Sequence, residues 1–232
     1  MNGEYTSRVG ALLGTDGQLR LKQSCGVIFG VGGVGSWCAE ALIRTGIGKL
    51  VLIDDDIVAP SNVNRQRQAQ PSTVGESKTE ALKAILLAIA PDAEITAIRR
   101  RYTPETAEEF TDIIKNADFV IDAIDSVDCK ADLMARCARP NMPPLFCSMG
   151  AALRTDPTRI QTSAFPDVAG DGLAKALRNR FRKAGIPFPR HICVHSTEAP
   201  AECNERASLM QVTCAFGMAL AALAVNAAAA DR

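Results

Sequence analysis

The tightest constraint on this chain lies between residues 25 and 46. A short apolar run, CGVIF (25–29), meets Gly30-Val31-Gly32-Gly33-Val34-Gly35, and residues 33–46 then place Val34, Trp37, Cys38, Ala41 and Leu42 at helical spacing. A buried strand that turns through glycines into a helix is an entry built for phosphate. Glycines at 30, 32, 33 and 35 permit a tight turn and close backbone approach, and the helix N-terminus offers N–H groups and positive dipole. Asp54 ends the next apolar run, 24 positions after Gly30, where a carboxylate accepts hydrogen bonds from ribose hydroxyls. Asp55 and Asp56 adjoin it, and spacing does not choose among the three. The glycine loop alone also leaves NAD, FAD and ATP open.

The rest of the first 150 residues repeats this rhythm. Strands are expected over 25–29, 49–54, 94–99, 118–123 and 144–148, and helices over 33–46, 76–90, 104–115 and 127–139, with Pro104 in a first turn and Pro91 as a stop. Such alternation predicts an α/β protein with a doubly wound, Rossmann-like, mostly parallel sheet and helices on both faces. Past residue 150 a C-terminal α+β extension is expected: a strand over 159–163, a basic helix over 172–184, loop over 186–206 and an alanine-rich helix. The organisation expected is one domain over 1–232, with a helical arm (1–24), a nucleotide-binding core (25–150) and a substrate-side extension (151–232). The uncharged run 209–230 is long enough to span a bilayer. Its alanines and Gln211, Thr213 and Asn226 favour instead a helix buried on the sheet, with a fraying end over 227–230.

Charge and cysteine usage exclude several classes. Lys+Arg and Asp+Glu both number 26, so any nucleic-acid contact must come from a local patch. Lys175, Arg178, Arg180, Arg182, Lys183 and Arg190 supply one, in a stretch from Gly172 to Thr197 without an acid. No two of the eight cysteines form a Cys-x-x-Cys pair, which argues against zinc and against a dithiol redox centre. The opening MNGEYTSRVG lacks the apolar run of a secretory signal, so a cytoplasmic protein without membrane attachment is expected.

Three further segments follow the second and fourth expected strands: Ser61-Asn62-Val63-Asn64-Arg65-Gln66, Val74-Gly75-Glu76-Ser77-Lys78 and Asp122-Ala123-Ile124-Asp125-Ser126. With the glycine loop and Asp54, the sequence resembles the adenylating superfamily of ubiquitin-activating enzymes and the bacterial activators of sulfur-carrier proteins. The resemblance implies an ATP-dependent adenylating enzyme. In it Asp54 holds the ribose with Asp56 beside it, Asn62, Arg65 and Lys78 line the triphosphate, and Asp125 binds Mg²⁺. It also implies a homodimer in which Arg8 acts as an arginine finger in the partner's site.

Within that superfamily, Thr45-Gly46-Ile47-Gly48, Ser148-Met149-Gly150-Ala151, Asp156-Pro157-Thr158 and Ser196-Thr197-Glu198 resemble the tRNA threonylcarbamoyladenosine dehydratases, over roughly 8–163 and 193–225. This implies adenylation of the threonyl carboxylate and ring closure with net loss of water. Implied partners are tRNA and sulfur-relay proteins. The alternative is an adenylyltransferase for the C-terminal glycine of a small sulfur-carrier protein; the absent cysteine pairs and the basic helix favour the dehydratase. Cys203 and Cys193 are the candidate functional thiols, whereas Cys25, Cys38, Cys137 and Cys214 fall on core-like faces.

Overall fold

Seven strands pair into a single sheet of order β3-β2-β1-β4-β5-β7-β6 in the computed structural model, which describes residues 4–203 and 207–230. The strands are β1 (Cys25–Phe29), β2 (Lys49–Ile53), β3 (Glu94–Ile98), β4 (Phe119–Asp122), β5 (Leu145–Ser148), β6 (Ile160–Ala164) and β7 (Ile192–Ser196). All neighbours run parallel except β6, which closes the edge antiparallel to β7. The central strands β1, β4 and β5 are short, mostly apolar runs because both of their faces are covered. Val27 and Phe29 enter one core and Ile28 the other, as the period of two requires.

Helices α1 (Ser7–Gln23), α2 (Gly35–Thr45), α3 (Lys78–Ile89) and α7 (Met210–Ala229) cover one face. Helices α4 (Thr111–Lys115), α5 (Val127–Cys137) and α6 (Gly172–Ala184) cover the other, around Phe29, Phe110, Leu133, Phe165 and Phe181. Helix α1 bends at Gly14, whose φ is 74°. Among the described residues α7 is the one helix apolar and long enough to cross a membrane, yet it buries Phe216, Leu220, Ala224 and Ala228 in the core. Its contact with α2 is so close that a Cβ on Gly217 would lie 2.6 Å from the Val34 carbonyl oxygen.

The structure departs from the sequence expectations in three places. The stretch 186–206, expected as loop, contains β7, which inserts between β5 and β6, so the C-terminal extension continues the same sheet. The expected helix 104–115 is instead a 3-10 turn over Ala107–Phe110 followed by the five-residue α4. Thr106 diverts the start: its hydroxyl accepts from the Thr103 N–H at 2.9 Å and donates to the Arg101 carbonyl at 2.9 Å. The alanine tract at 227–230 is held, because Arg20 Nε donates to the Ala229 carbonyl at 2.8 Å and Ala228 is buried.

Candidate active site

Strand order reverses between β1 and β4, and a doubly wound sheet has its ligand crevice at such a point, beyond the carboxyl ends of the strands. A cleft of about 720 Å³ opens there. Gly30, Gly32 and Gly33 form one wall. Gly30 adopts φ 85°, and a Cβ there would sit 2.8 Å from the Ala123 carbonyl oxygen. Gly35 is buried behind the loop, where a Cβ would come within 1.9 Å of the Gly30 carbonyl oxygen.

Asp54 braces this loop. Its Oδ2 accepts from the Val31 N–H at 2.8 Å and its Oδ1 from the Asp56 N–H at 2.9 Å. Two of a carboxylate's roughly four acceptor positions are thereby used, which leaves Asp54, a residue of the cleft lining, with acceptor capacity to spare. Burial pushes the Asp54 carboxyl above the usual range, opposed by these N–H groups and the nearby Lys78 ammonium.

The cationic side of the cleft is assembled from two turns after β2. Lys78, the first residue of α3, is 6% exposed and directs its ammonium to Asp56 Oδ2 at 2.6 Å. Asn62 is buried, its Oδ1 accepting from the Ala59 N–H at 3.0 Å. Arg65 donates from Nη1 to the Ser61 carbonyl (2.8 Å) and to Asn64 Oδ1 (2.9 Å), and its stem lies against Gly33. Asp125 is exposed at the cleft rim where β4 ends. Asp54, Asp56, Asn62, Arg65, Lys78 and Asp125, separated by up to 71 positions in the chain, therefore line one cleft with the glycines.

Other candidates lie elsewhere. Arg8 is exposed on α1 and is not part of the cleft wall. Cys193 is not a loop thiol: it sits on β7 at 0% exposure, beside Cys147 in strand register, because the segment that carries it joins the sheet. Cys203 is exposed, outside the cleft lining.

The basic helix is less uniformly positive than its sequence. Ala174, Leu177 and Phe181 are buried, and Gly172, Leu173 and Ala176 line the cleft. By the 3.6 period Arg180 and Lys183 continue that cleft-side stripe, while Lys175 and Arg182 lie beside it. Acids meet two cations of the basic stretch: Arg180 Nε lies 2.7 Å from Asp128 Oδ1, and Arg190, beyond the helix, 3.6 Å from Asp167. Arg178 is used internally, donating to the Val168 carbonyl at 2.9 Å.

Several lining residues were not singled out from the sequence as site residues. Arg100, Arg101 and Tyr102 follow β3, Gln66 adjoins Arg65, and Thr213 comes from α7. The Arg99–Arg101 triplet at the carboxyl end of a strand was a visible signal; Thr213 had none. The arrangement can hold a polyphosphate by backbone N–H groups and cations, and can stabilise charge that develops on a phosphoryl group.

The profile of the ThiF family matches residues 5–230. This chain belongs to the ThiF family. Similar ThiF-type relatives include the tRNA threonylcarbamoyladenosine dehydratase of Bacillus subtilis strain 168, 42% identical over 199 residues, covering 86% of this chain and 77% of the relative. The tRNA threonylcarbamoyladenosine dehydratase of Escherichia coli K12 is 40% identical over 183 residues, covering 74% and 65% respectively. The crystal structure of E. coli tRNA N6-threonylcarbamoyladenosine dehydratase in complex with ATP superposes with a TM-score of 0.91 at 34% identity, covering 97% of this chain and 93% of that one. The seven-stranded, mostly parallel sheet is thus a ThiF-family fold.

Proposed function

We propose that this ThiF-family chain is an ATP-dependent dehydratase of tRNA threonylcarbamoyladenosine. One observation carries the reading: Asn62, Arg65 and Lys78 converge with the glycine loop on one cleft. Hydride transfer has no use for that cation set, whereas attack on a polyphosphate requires it. The dehydratase relatives supply the substrate.

The threonyl carboxylate attacks the α-phosphorus of ATP and pyrophosphate leaves, giving an acyl-adenylate. A nucleophile of the same threonylcarbamoyl group then displaces AMP from the acyl carbon and closes the ring. The carboxylate is already ionised, so the first step needs no general base. The protein orients the two reactants and stabilises phosphoryl charge. Asp54 holds the ribose, with Asp56 aligning Lys78. Asp125, an exposed carboxylate at the rim, has the hard oxygen donors that suit Mg²⁺, which when bound neutralises phosphate charge.

The reading includes a cytoplasmic homodimer in which Arg8 of one protomer serves the cleft of its partner. The RNA backbone follows the Lys183 side of α6 away from the cleft. Exposed Cys203 is the thiol available to sulfur-relay proteins.

The test is the mass of the nucleoside. Purified protein, ATP, Mg²⁺ and tRNA bearing threonylcarbamoyladenosine are incubated, the RNA is digested away from base, and the nucleoside is weighed. An ATP-dependent loss of one water is expected, abolished by Lys78→Ala. An unchanged nucleoside, with ATP consumed only when a sulfur-carrier protein is supplied, would replace this reading with the carrier-activating one.

A further inference from the structure

After β5 the chain crosses the cleft wall as a short arch, residues 150–154. Ala151 and Ala152 line the cleft between anchors on either side. At one end the Gly150 N–H donates to Asp171 Oδ2 at 3.0 Å. At the other the Leu153 N–H donates to the Ala207 carbonyl at 2.9 Å, and the Ala201 N–H donates to the Leu153 carbonyl at 2.7 Å. Arg154 then turns back to the same carboxylate, its Nη2 3.7 Å from Asp171 Oδ2, with side chains 2% and 0% exposed. Asp171 Oδ1 meanwhile accepts from the Ala174 N–H at 2.9 Å and caps α6, whose Gly172, Leu173 and Ala176 line the cleft. One buried carboxylate therefore joins two walls of the cleft.

This junction is not arranged for stability alone. Leu153 holds φ 60°, a left-handed conformation costly for a γ-branched residue. Arg154 Nε and Nη1 and His195 Nδ1 are buried without hydrogen-bond partners. His195 lies on the same side, its Nε2 3.0 Å from Ser163 Oγ. Backbone strain and orphaned polar atoms in one cluster mark a place where geometry is held against a stability cost.

We infer that Asp171, held by Arg154, is a positioning residue for the RNA-borne substrate. It sets the spacing between the arch and α6, and so the seat of the threonylcarbamoyl-adenine group, while the glycine-loop half of the cleft that takes ATP is independent of it. Attack on the α-phosphorus needs the carboxylate within near-contact distance, so loosening this wall lowers productive RNA binding and turnover together. The inference rests on the dehydratase reading.

Two variants test it. Asp171→Ser retains a helix cap but is too short to reach the Gly150 N–H, and combining it with Arg154→Met removes the charge left unbalanced. Gly150→Ala keeps both charges and instead crowds the junction, since its Cβ would lie 3.1 Å from Asp171 Oδ2, which must give by a few tenths of an ångström. In each, kcat/KM for the modified tRNA is expected to fall at least tenfold while the Kd for ATP, read by calorimetry, stays within twofold of the parent. If the double variant does not fold, Gly150→Ala decides alone. RNA kcat/KM within twofold of the parent, or a parallel loss of ATP affinity, overturns the inference, the latter by making Asp171 a general structural residue. A parent protein inactive on the RNA overturns the dehydratase reading and this inference with it, whereas an active parent with unmoved variants overturns the inference alone.

Discussion

Lys130 places its ammonium 2.7 Å from Asp122 Oδ1, with both side chains at 0% exposure. The same ammonium donates to the Asp122 carbonyl at 3.2 Å, and Asp122 Oδ1 also accepts from the Ile124 N–H at 3.1 Å. The pair thus fixes the turn that leaves β4 and carries Asp125 to the cleft. Burial pushes the Asp122 carboxyl up, and Lys130 opposes that shift.

Removing one partner leaves an uncompensated buried charge. Lys130→Met is expected to cost about 3–5 kcal/mol of folding stability, measured by urea unfolding. The double variant Lys130→Met, Asp122→Asn should recover more than half of the loss, because the substituted amide oxygen can still accept from the Ile124 N–H. A double variant no more stable than Lys130→Met would show that the charge balance is not what the pair contributes.

The glycines of the loop separate into two kinds. At Gly35 an added Cβ meets the Gly30 carbonyl oxygen at 1.9 Å, backbone against backbone, so Gly35→Ala should cost about 3 kcal/mol or more. At Gly32 the nearest atom is Gln66 Nε2 at 3.8 Å, so Gly32→Ala should fold with a change within about 0.5 kcal/mol. Its methyl group occupies the approach of phosphate, and ATP affinity is expected to fall about tenfold or more, near 1.4 kcal/mol. Chemical denaturation and nucleotide titration on the same two proteins check both halves.

This division also shows what the sequence could reveal. The glycine loop and a strand-end acid were legible from local pattern, because a strand that turns through glycines into a helix fixes their place, whereas Asn62, Arg65, Lys78 and Asp125 were legible only through the family resemblance. Strand β7 was not: ICVHS carries a His and a Ser, and its burial comes from β5 and β6, which pair with it from both sides. Lys130 reads as an ordinary helix cation until β4 is packed beneath it. Arg180 and Asp128, 52 residues apart, look like a free cation and a free acid until α6 meets α5. Asp171 and Arg154 were invisible for the same reason: their partners are set by tertiary packing and by no local period.

Both histidines of the chain are held toward the neutral form. Burial lowers the pKa of His191, which lies 2.8 Å from the Met134 carbonyl through Nε2, and burial also lowers that of His195. Below the unfolded value of about 6.5 the unfolded chain therefore binds more protons than the folded one, and stability rises with pH through that window. The thermal midpoint should drop on going from pH 7 to pH 5.5. A His191→Asn, His195→Asn variant should give a flatter profile over the same range. Asp54, raised by burial, works with the opposite sign at lower pH, since there the folded state binds the extra proton. A double-histidine variant whose midpoint changes between pH 7 and pH 5.5 as steeply as the parent's would contradict the assignment.

The cations of α6 should differ in what they contribute to RNA binding. Lys183 shares the stripe of Gly172, Leu173 and Ala176 that leads out of the cleft, whereas Arg190 stands 3.6 Å from Asp167 beyond the helix. Each phosphate contact adds about 0.7–0.9 to the magnitude of the slope of log K against log salt. Lys183→Ala should therefore lower that magnitude by about 1, and Arg190→Ala, whose charge is already partly met, should leave it nearly unchanged. Fluorescence anisotropy with labelled tRNA over a salt series reads the two slopes directly. Equal reductions would mean that the RNA covers the 186–190 loop as well as the helix. No reduction in either would place the RNA track on another face, with the Arg100 and Arg101 rim of the cleft as the next surface to alter.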